Sequence, residues 1–171
     1  MNIGLIENTT NVIIPIIFLF WAFIFVYIIH ILEETLVPEV FVEKVKRLYV
    51  SNYGWKQFFG FNTLLLCINI CAVVLYENIG NAWIIFPLAM GVERVFNGLY
   101  HFFETVISKK YSSGLLSSVM TWILEYLLIR YSFVNGNVKI AYIIISSIIG
   151  IIIGSLMIFP LITGKLKNLK W

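Results

Sequence analysis

The sequence contains no aspartate, and charged residues of all kinds make up only 12% of its 171 positions. Hydrophobic residues make up 60%, and the mean hydropathy is +0.93. This composition excludes an ordinary soluble domain, because such a domain needs many more polar side chains to cover its surface. The sequence also lacks a glycine-rich phosphate loop and a basic stripe with interleaved aromatics, which argues against nucleotide or nucleic-acid binding.

Five apolar runs are long enough to cross a bilayer as helices. No lysine or arginine precedes the first run, so we expect it to be retained rather than removed as a signal peptide. We see no internal repeat and no second domain. The predicted fold is therefore all-α: residues 1–171 form a single membrane domain, a bundle of five transmembrane helices. The predicted spans are approximately 11–33, 57–77, 82–107, 114–134 and 140–163.

Lysine and arginine are concentrated in alternate loops, and this distribution predicts the orientation of the chain. By the positive-inside rule, the N-terminus is outside and the C-terminus is cytoplasmic. We expect an integral protein of a prokaryotic cytoplasmic membrane, with the lipid bilayer as its surroundings. The residues that set this orientation follow the first, third and last spans: Lys44, Lys46, Arg47, Lys56, Lys109, Lys110, Lys165, Lys167 and Lys170.

The segment "PEVFVEKVKRLY" between the first two spans predicts a short amphipathic helix at the membrane interface. Pro38 suits a first helical position, and an apolar stripe and a charged face follow it. A soluble connecting helix with a solvated charged face is equally compatible with this pattern. The stripe is Phe41, Val45 and Leu48, and the charged residues are Glu43, Lys46 and Arg47.

Polar residues at the end of the first span are the strongest functional signal, because ionisable groups are costly inside a membrane. His30, Glu33 and Glu34 have i, i+3 and i+4 spacing, so they lie near one face of the helix. Glu34 is the member most easily explained by solvation at a helix end.

The third span carries a second polar stripe at helical spacing, which we expect to face inward. From the helical rise, His101 lies at about the same depth as His30, and each histidine is followed three residues later by a glutamate. This match predicts that the two stripes form one site. The stripe consists of Glu93, Asn97, His101 and Glu104.

The segments "HILEE" (30–34), "NGLYH" (97–101) and "YSSG" (111–114) resemble the motifs of the HXXEE family of membrane proteins. That family is marked by His-x-x-Glu-Glu, then Asn-x-x-x-His, then Tyr-x-Pro-Gly. Tyr111 and Gly114 match the third motif, and Ser113 replaces its proline. The resemblance covers most of the chain and implies no particular reaction.

Imidazole and carboxylate groups suit a divalent zinc, iron or manganese ion. The predicted metal ligands are His30, Glu33, Glu34, His101 and Glu104, with Asn97 orienting the rings. The same six residues are the predicted catalytic residues of a metal-dependent enzyme acting on a lipid or another membrane-bound substrate. In a metal-free acid–base enzyme, the histidines move protons with Glu33 or Glu104 as partner.

Two other functions remain open from the sequence: a proton, cation or small-solute transporter that uses the stripe, and a non-catalytic interaction protein.

Arg94 and Glu125 both lie near mid-membrane, which predicts a structural ion pair between the third and fourth spans. Ser146, Gly150 and Gly154 have the small-xxx-small spacing of close helix packing, within the fold or in a homo-oligomer. Cys67 and Cys71 lie inside an apolar run and are read as packing residues.

Overall fold

The computed structural model describes residues 16–37, 41–48, 50–135 and 138–168, and within these ranges it contains only helices and their connections. A short 3-10 helix, Asn81–Ile84, precedes the fourth α-helix. The predicted all-α class is confirmed. The α-helices are α1 (Ile16–Leu36), α2 (Phe41–Leu48), α3 (Trp55–Ile79), α4 (Ile85–Ser108), α5 (Leu115–Asn135) and α6 (Ile140–Asn168).

Three helical segments of the described chain are long and apolar enough to span a membrane: α1, α3 and residues Ile140–Phe159 of α6. Helices α4 and α5 coincide with the predicted third and fourth spans but are not among these three segments. Large apolar side chains cover the outer surface of the bundle, as expected of a membrane protein. The five-span topology and its orientation stay predictions.

Helix α4 is the centre of the bundle and packs against α3, α5 and α6. Gly150 and Gly154 of α6 make its close approach to α4 possible. A β-carbon added at Gly154 would lie 2.9 Å from the Cβ of Phe96, and one at Gly150 would lie 2.6 Å from the Cβ of Val92. Both glycines therefore serve helix packing within the chain, and a homo-oligomer stays a prediction.

The apolar core and the polar site occupy different levels of the bundle. The main core cluster joins the first half of α1 with the last half of α3 and the beginning of α4, around Phe20, Val73 and Leu88. The polar side chains collect at the other end, where α1 and α4 finish and α5 begins. The site therefore lies between the ends of the helices, at the base of an apolar bundle.

Helix α2 packs against this polar end of the bundle, and its position at a membrane interface stays a prediction. Val42 and Val45 are fully buried, and α2 contacts both α1 and α6. Lys44 is also buried, which the amphipathic pattern did not predict. Pro38, the predicted first helical residue, and the side chain of Leu48 lie outside the described residues.

Candidate functional site

The chain has only two histidines, and they meet at the polar end of the bundle. His30 on α1 and His101 on α4 have ring centroids 5.1 Å apart, with their planes at 72°. Their side chains are buried, at 4% and 0% exposure. The expectation that the two histidines lie at one level is therefore confirmed.

A single carboxylate contacts both imidazoles. Glu34 Oε1 lies 3.6 Å from Nε2 of His30 and 3.4 Å from Nε2 of His101. The Glu34 side chain is buried, so the interpretation of this residue as a solvated helix end is wrong. The reason is that α1 continues to Leu36, which carries Glu34 inside the bundle one helical turn beyond His30.

His30 is held from its other side by a serine of α5. Its Nδ1 lies 2.8 Å from Ser117 Oγ, and the same hydroxyl donates to Glu33 Oε2 at 2.6 Å. Because a carboxylate only accepts hydrogen bonds, the serine proton points to Glu33 and the ring nitrogen is the donor to serine. This assignment leaves Nε2 of His30 with a free lone pair that faces Glu34.

His101 has an equivalent arrangement with the loop before α5. Its Nδ1 lies 3.0 Å from Ser112 Oγ, and that hydroxyl donates to Glu104 Oε2. Lys44 of α2 donates to the same carboxylate oxygen at 2.6 Å. The predicted match between the two His-x-x-Glu units thus has a structural basis: in each unit a serine joins the histidine to the glutamate three residues later.

Glu33 also caps the N-terminus of α5. It accepts hydrogen bonds from the backbone N–H groups of Leu116 at 3.1 Å and Ser117 at 2.8 Å, and from the Tyr111 hydroxyl. A carboxylate is favourable there because the first N–H groups of a helix have no partner within it. Partial burial, together with the hydrogen bond to Glu33, raises the pKa of Tyr111 to about 12, so this hydroxyl stays a donor at neutral pH.

Gly114 brings the loop before α5 directly against both histidines. A β-carbon at this position would lie 2.7 Å from Cε1 of His30 and 2.8 Å from Nε2 of His101. Its backbone φ of 104° is also one that other residues rarely adopt. Glycine is therefore required here both by the backbone conformation and by the space that the two rings occupy.

Three of the five predicted ligands converge on one point. One donor atom from each of His30, Glu34 and His101 can be chosen so that all three lie within 4.8 Å of one another. Nε2 of His101 is buried and has no hydrogen-bond partner in the described part of the chain. Glu33 and Glu104 are not part of this group, because their carboxylates are bound to the serines, to the α5 backbone and to Lys44.

The predicted ion pair between Arg94 and Glu125 is wrong. Arg94 forms a bidentate pair with its neighbour Glu93, at 2.5 and 2.7 Å, and its guanidinium lies 4.3 Å from the ring centroid of Tyr27. Glu125 Oε2 is buried without a hydrogen-bond partner among the described residues. It lies against Gly91, where a β-carbon would be 2.5 Å from it. The reason is geometric: Glu93 is near enough to the guanidinium to satisfy it from the same helix.

A cavity of about 640 Å³ is lined by His30 and Glu34 of the site, and its volume is in the range of small-molecule sites. Asn97 lines this cavity, whereas the serines take the ring-orienting role that was predicted for it. Residues of α1, α2, α3, α4 and α6 form the wall. Its polar side chains are His30, Glu34, Tyr53, Lys56, Gln57, Asn62, Arg94, Asn97 and Tyr100.

A family model described as "protein of unknown function with HXXEE motif" matches residues 21–129, more than half of the chain. The chain belongs to the HXXEE family. Neither the curated proteins nor the solved structures contain a match to this chain.

In the HXXEE motif of this chain, the two adjacent glutamates have different roles. Glu34 faces the histidine pair, and Glu33 caps α5. Sequence reasoning missed Ser112, Ser117 and Lys44, because serine is common in loops and in the first turn of a helix and Lys44 had the pattern of a surface residue. The usable signal for the first serine was its position inside the Tyr111–Gly114 motif of the HXXEE family.

Proposed function

We propose that this HXXEE protein is a membrane enzyme that depends on a divalent metal ion. The ion, preferably zinc, is bound by His30, Glu34 and His101. The substrate is a lipid or another hydrophobic molecule that occupies the adjacent cavity. Two histidines and one glutamate are a ligand set of catalytic zinc sites, which keep the fourth position for water or substrate. A zinc ion held by these residues would lower the pKa of a bound water molecule to about 7 and would act as a Lewis acid on a substrate oxygen.

The observation that carries this proposal is the spacing of the donor atoms. Zinc–ligand distances of about 2.0 to 2.1 Å and a tetrahedral angle separate two ligands by about 3.3 Å. Glu34 Oε1 lies 3.4 and 3.6 Å from the two Nε2 atoms. These separations are too long for strong hydrogen bonds and are close to the distance between two ligands in a tetrahedral zinc site.

The surroundings of the histidines support the same proposal. A histidine that ligates a metal usually donates its second ring N–H to another polar group, which fixes the ring and raises its basicity. Ser117 and Ser112 accept these protons and are themselves held by Glu33 and Glu104. Without a cation or a shared proton, two nitrogen lone pairs and a carboxylate would face each other in a buried space, which is unfavourable.

The chain's own residues also supply a place for substrate. His30 and Glu34 form the inner wall of the cavity, next to Arg94 and Asn97. The guanidinium and the amide are hydrogen-bond donors for a polar group held beside the metal ligands. The apolar part of the wall suits a hydrocarbon portion of the same molecule.

Conversion of lipids tests the enzymatic part of the proposal. Purified protein loaded with zinc is incubated with a total polar lipid extract, and the lipids are compared by mass spectrometry. We expect products with the zinc-loaded protein that are absent with metal-stripped protein and with Glu34→Gln. Glu77→Gln, the same chemical change on an exposed residue of α3, is the matched control and should keep full conversion.

The outcome also separates the alternatives. Conversion that survives chelation would contradict the metal-dependent enzyme and favour the acid–base version with the same histidines. Bound metal without conversion of any lipid would contradict the enzyme and leave a structural metal site. Transport along the Glu93–Glu104 stripe and a non-catalytic interaction role stay predictions.

A further inference from the structure

The cavity beside the histidines is bordered by two helices that do not form a packed interface with each other. Phe61 and Leu64 of α3 line one side, and Leu156 and Met157 of α6 line the other. Over their described residues, α3 and α6 each pack extensively against other helices but not against each other. Phe61, Leu64 and Leu156 are exposed on the outer surface of the bundle, so the cavity opens sideways onto an apolar surface.

We propose that the cavity binds an acyl-chain lipid with an anionic head group, which enters sideways between α3 and α6 past Gly60. The acyl chain lies along the apolar side of the opening, and the head group points to the inner wall. This inference deepens the proposed function by naming its substrate class and rests on it for the chemistry at the inner wall. Lipid binding in the cavity is tested separately from metal binding and from lipid conversion.

Gly60 is the residue of α3 that keeps the opening clear. It lines the cavity, and a β-carbon added there would have no atom within 4 Å. Packing therefore gives no reason for glycine at this position, unlike Gly150 and Gly154. Glycine is also unfavourable in a helix interior compared with alanine. The absence of a side chain is explained if a ligand passes or rests at this point of the wall.

The charges along the cavity favour an anionic head group. Lys56, at the start of α3, lines the cavity and is exposed. Arg94 at the inner wall is neutralised by Glu93 but still presents donors. With a divalent ion bound by two neutral histidines and Glu34, the inner wall also carries a net positive charge. A carboxylate or phosphate beside these groups gains attraction that a neutral head group does not.

Photolabelling of the full chain in detergent tests this inference directly. The probe is palmitic acid with a diazirine in its acyl chain, and the neutral comparator is the corresponding fatty alcohol. We expect the acid to label the facing residues Phe61 and Leu156 in strong preference to Phe18, which is exposed away from the cavity. The alcohol should label the cavity several-fold less, and Lys56→Ala should reduce this difference.

Variants of Gly60 show whether labelling depends on the opening. Gly60→Trp should abolish cavity labelling, and Gly60→Ala should keep it because a methyl group fits the open space. Ile68→Trp places the same bulk on an exposed position of α3 outside the cavity wall and should change nothing. If Gly60→Trp does not fold by circular dichroism and gel filtration, Gly60→Leu takes its place.

Equal labelling of all exposed apolar residues would overturn the inference. Cavity labelling that persists in a folded Gly60→Trp or Gly60→Leu protein would also overturn it. Equal labelling by the acid and the alcohol would overturn its anionic part. Cavity labelling of a zinc-loaded protein that converts no lipid would support the lipid cavity while contradicting the enzyme.

Discussion

Glu34 Oε1 lies 3.4 Å from Nε2 of His101, although the two residues belong to different helices. The same oxygen is 3.6 Å from Nε2 of His30. Both histidines have their other ring nitrogen against a serine hydroxyl, so the two Nε2 atoms present lone pairs to the carboxylate. Three acceptors in one buried place need a cation or a shared proton between them. This relationship is the basis of the proposed metal site.

The two serines are predicted to tune metal affinity without being ligands. Ser117→Ala and Ser112→Ala remove the acceptors of the His30 and His101 ring protons, so each should weaken zinc binding about 10- to 100-fold. Isothermal titration of metal-stripped protein measures this change. Ser147→Ala is the control, since its hydroxyl donates only within α6 to Ile143 O. Unchanged affinity in both site variants would show that the serines do not orient the rings.

Gly114→Ala should disrupt the site, whereas Gly80→Ala should only strain the backbone. Both glycines have positive φ, 104° and 116°, so each substitution should cost about 1 to 2 kcal/mol in the free energy of unfolding. Only at Gly114 would the new methyl group meet His30 and His101. We therefore expect loss of metal binding in Gly114→Ala alone. Equal metal binding by the two variants would contradict the described position of the loop.

Neutralisation of Glu93 is predicted to destabilise the protein, whereas neutralisation of Glu125 is not. Glu93→Gln breaks the buried bidentate pair with Arg94 and should lower the free energy of unfolding by about 3 kcal/mol. Glu125→Gln removes no described hydrogen bond of Oε2 and should change stability by no more than about 0.5 kcal/mol or increase it. Thermal unfolding in detergent compares the two. A large loss of stability in Glu125→Gln alone would instead support the originally predicted ion pair between Arg94 and Glu125.

Helix positions were predictable from the apolar runs, and the meeting of the histidines was predictable because the helical rise places both at the same depth on their two helices. The stripe on α4 placed His101 correctly, and the apolar runs located α1, α3 and α6. The choice between Glu33 and Glu34 was not predictable. It depends on where α5 begins relative to α1, which is a contact between residues far apart in the chain.

The burial of Lys44 could not be predicted from the sequence pattern either. A lysine in a charged segment reads as solvated, and only the docking of α2 under the bundle brings it to Glu104. The pairing of Arg94 failed for a similar reason. Two charges at one estimated depth suggest a pair, but the rotation of each helix decides which carboxylate the guanidinium reaches.

The metal content of the purified protein tests the central claim most directly. The full chain is purified in detergent without added chelator and analysed by inductively coupled plasma mass spectrometry. We predict one zinc ion per chain, lost in His30→Ala, Glu34→Gln and His101→Ala and retained in Glu77→Gln. A folded wild-type protein without bound divalent metal and unable to bind added zinc, or one whose metal persists in all three site variants, would contradict the account.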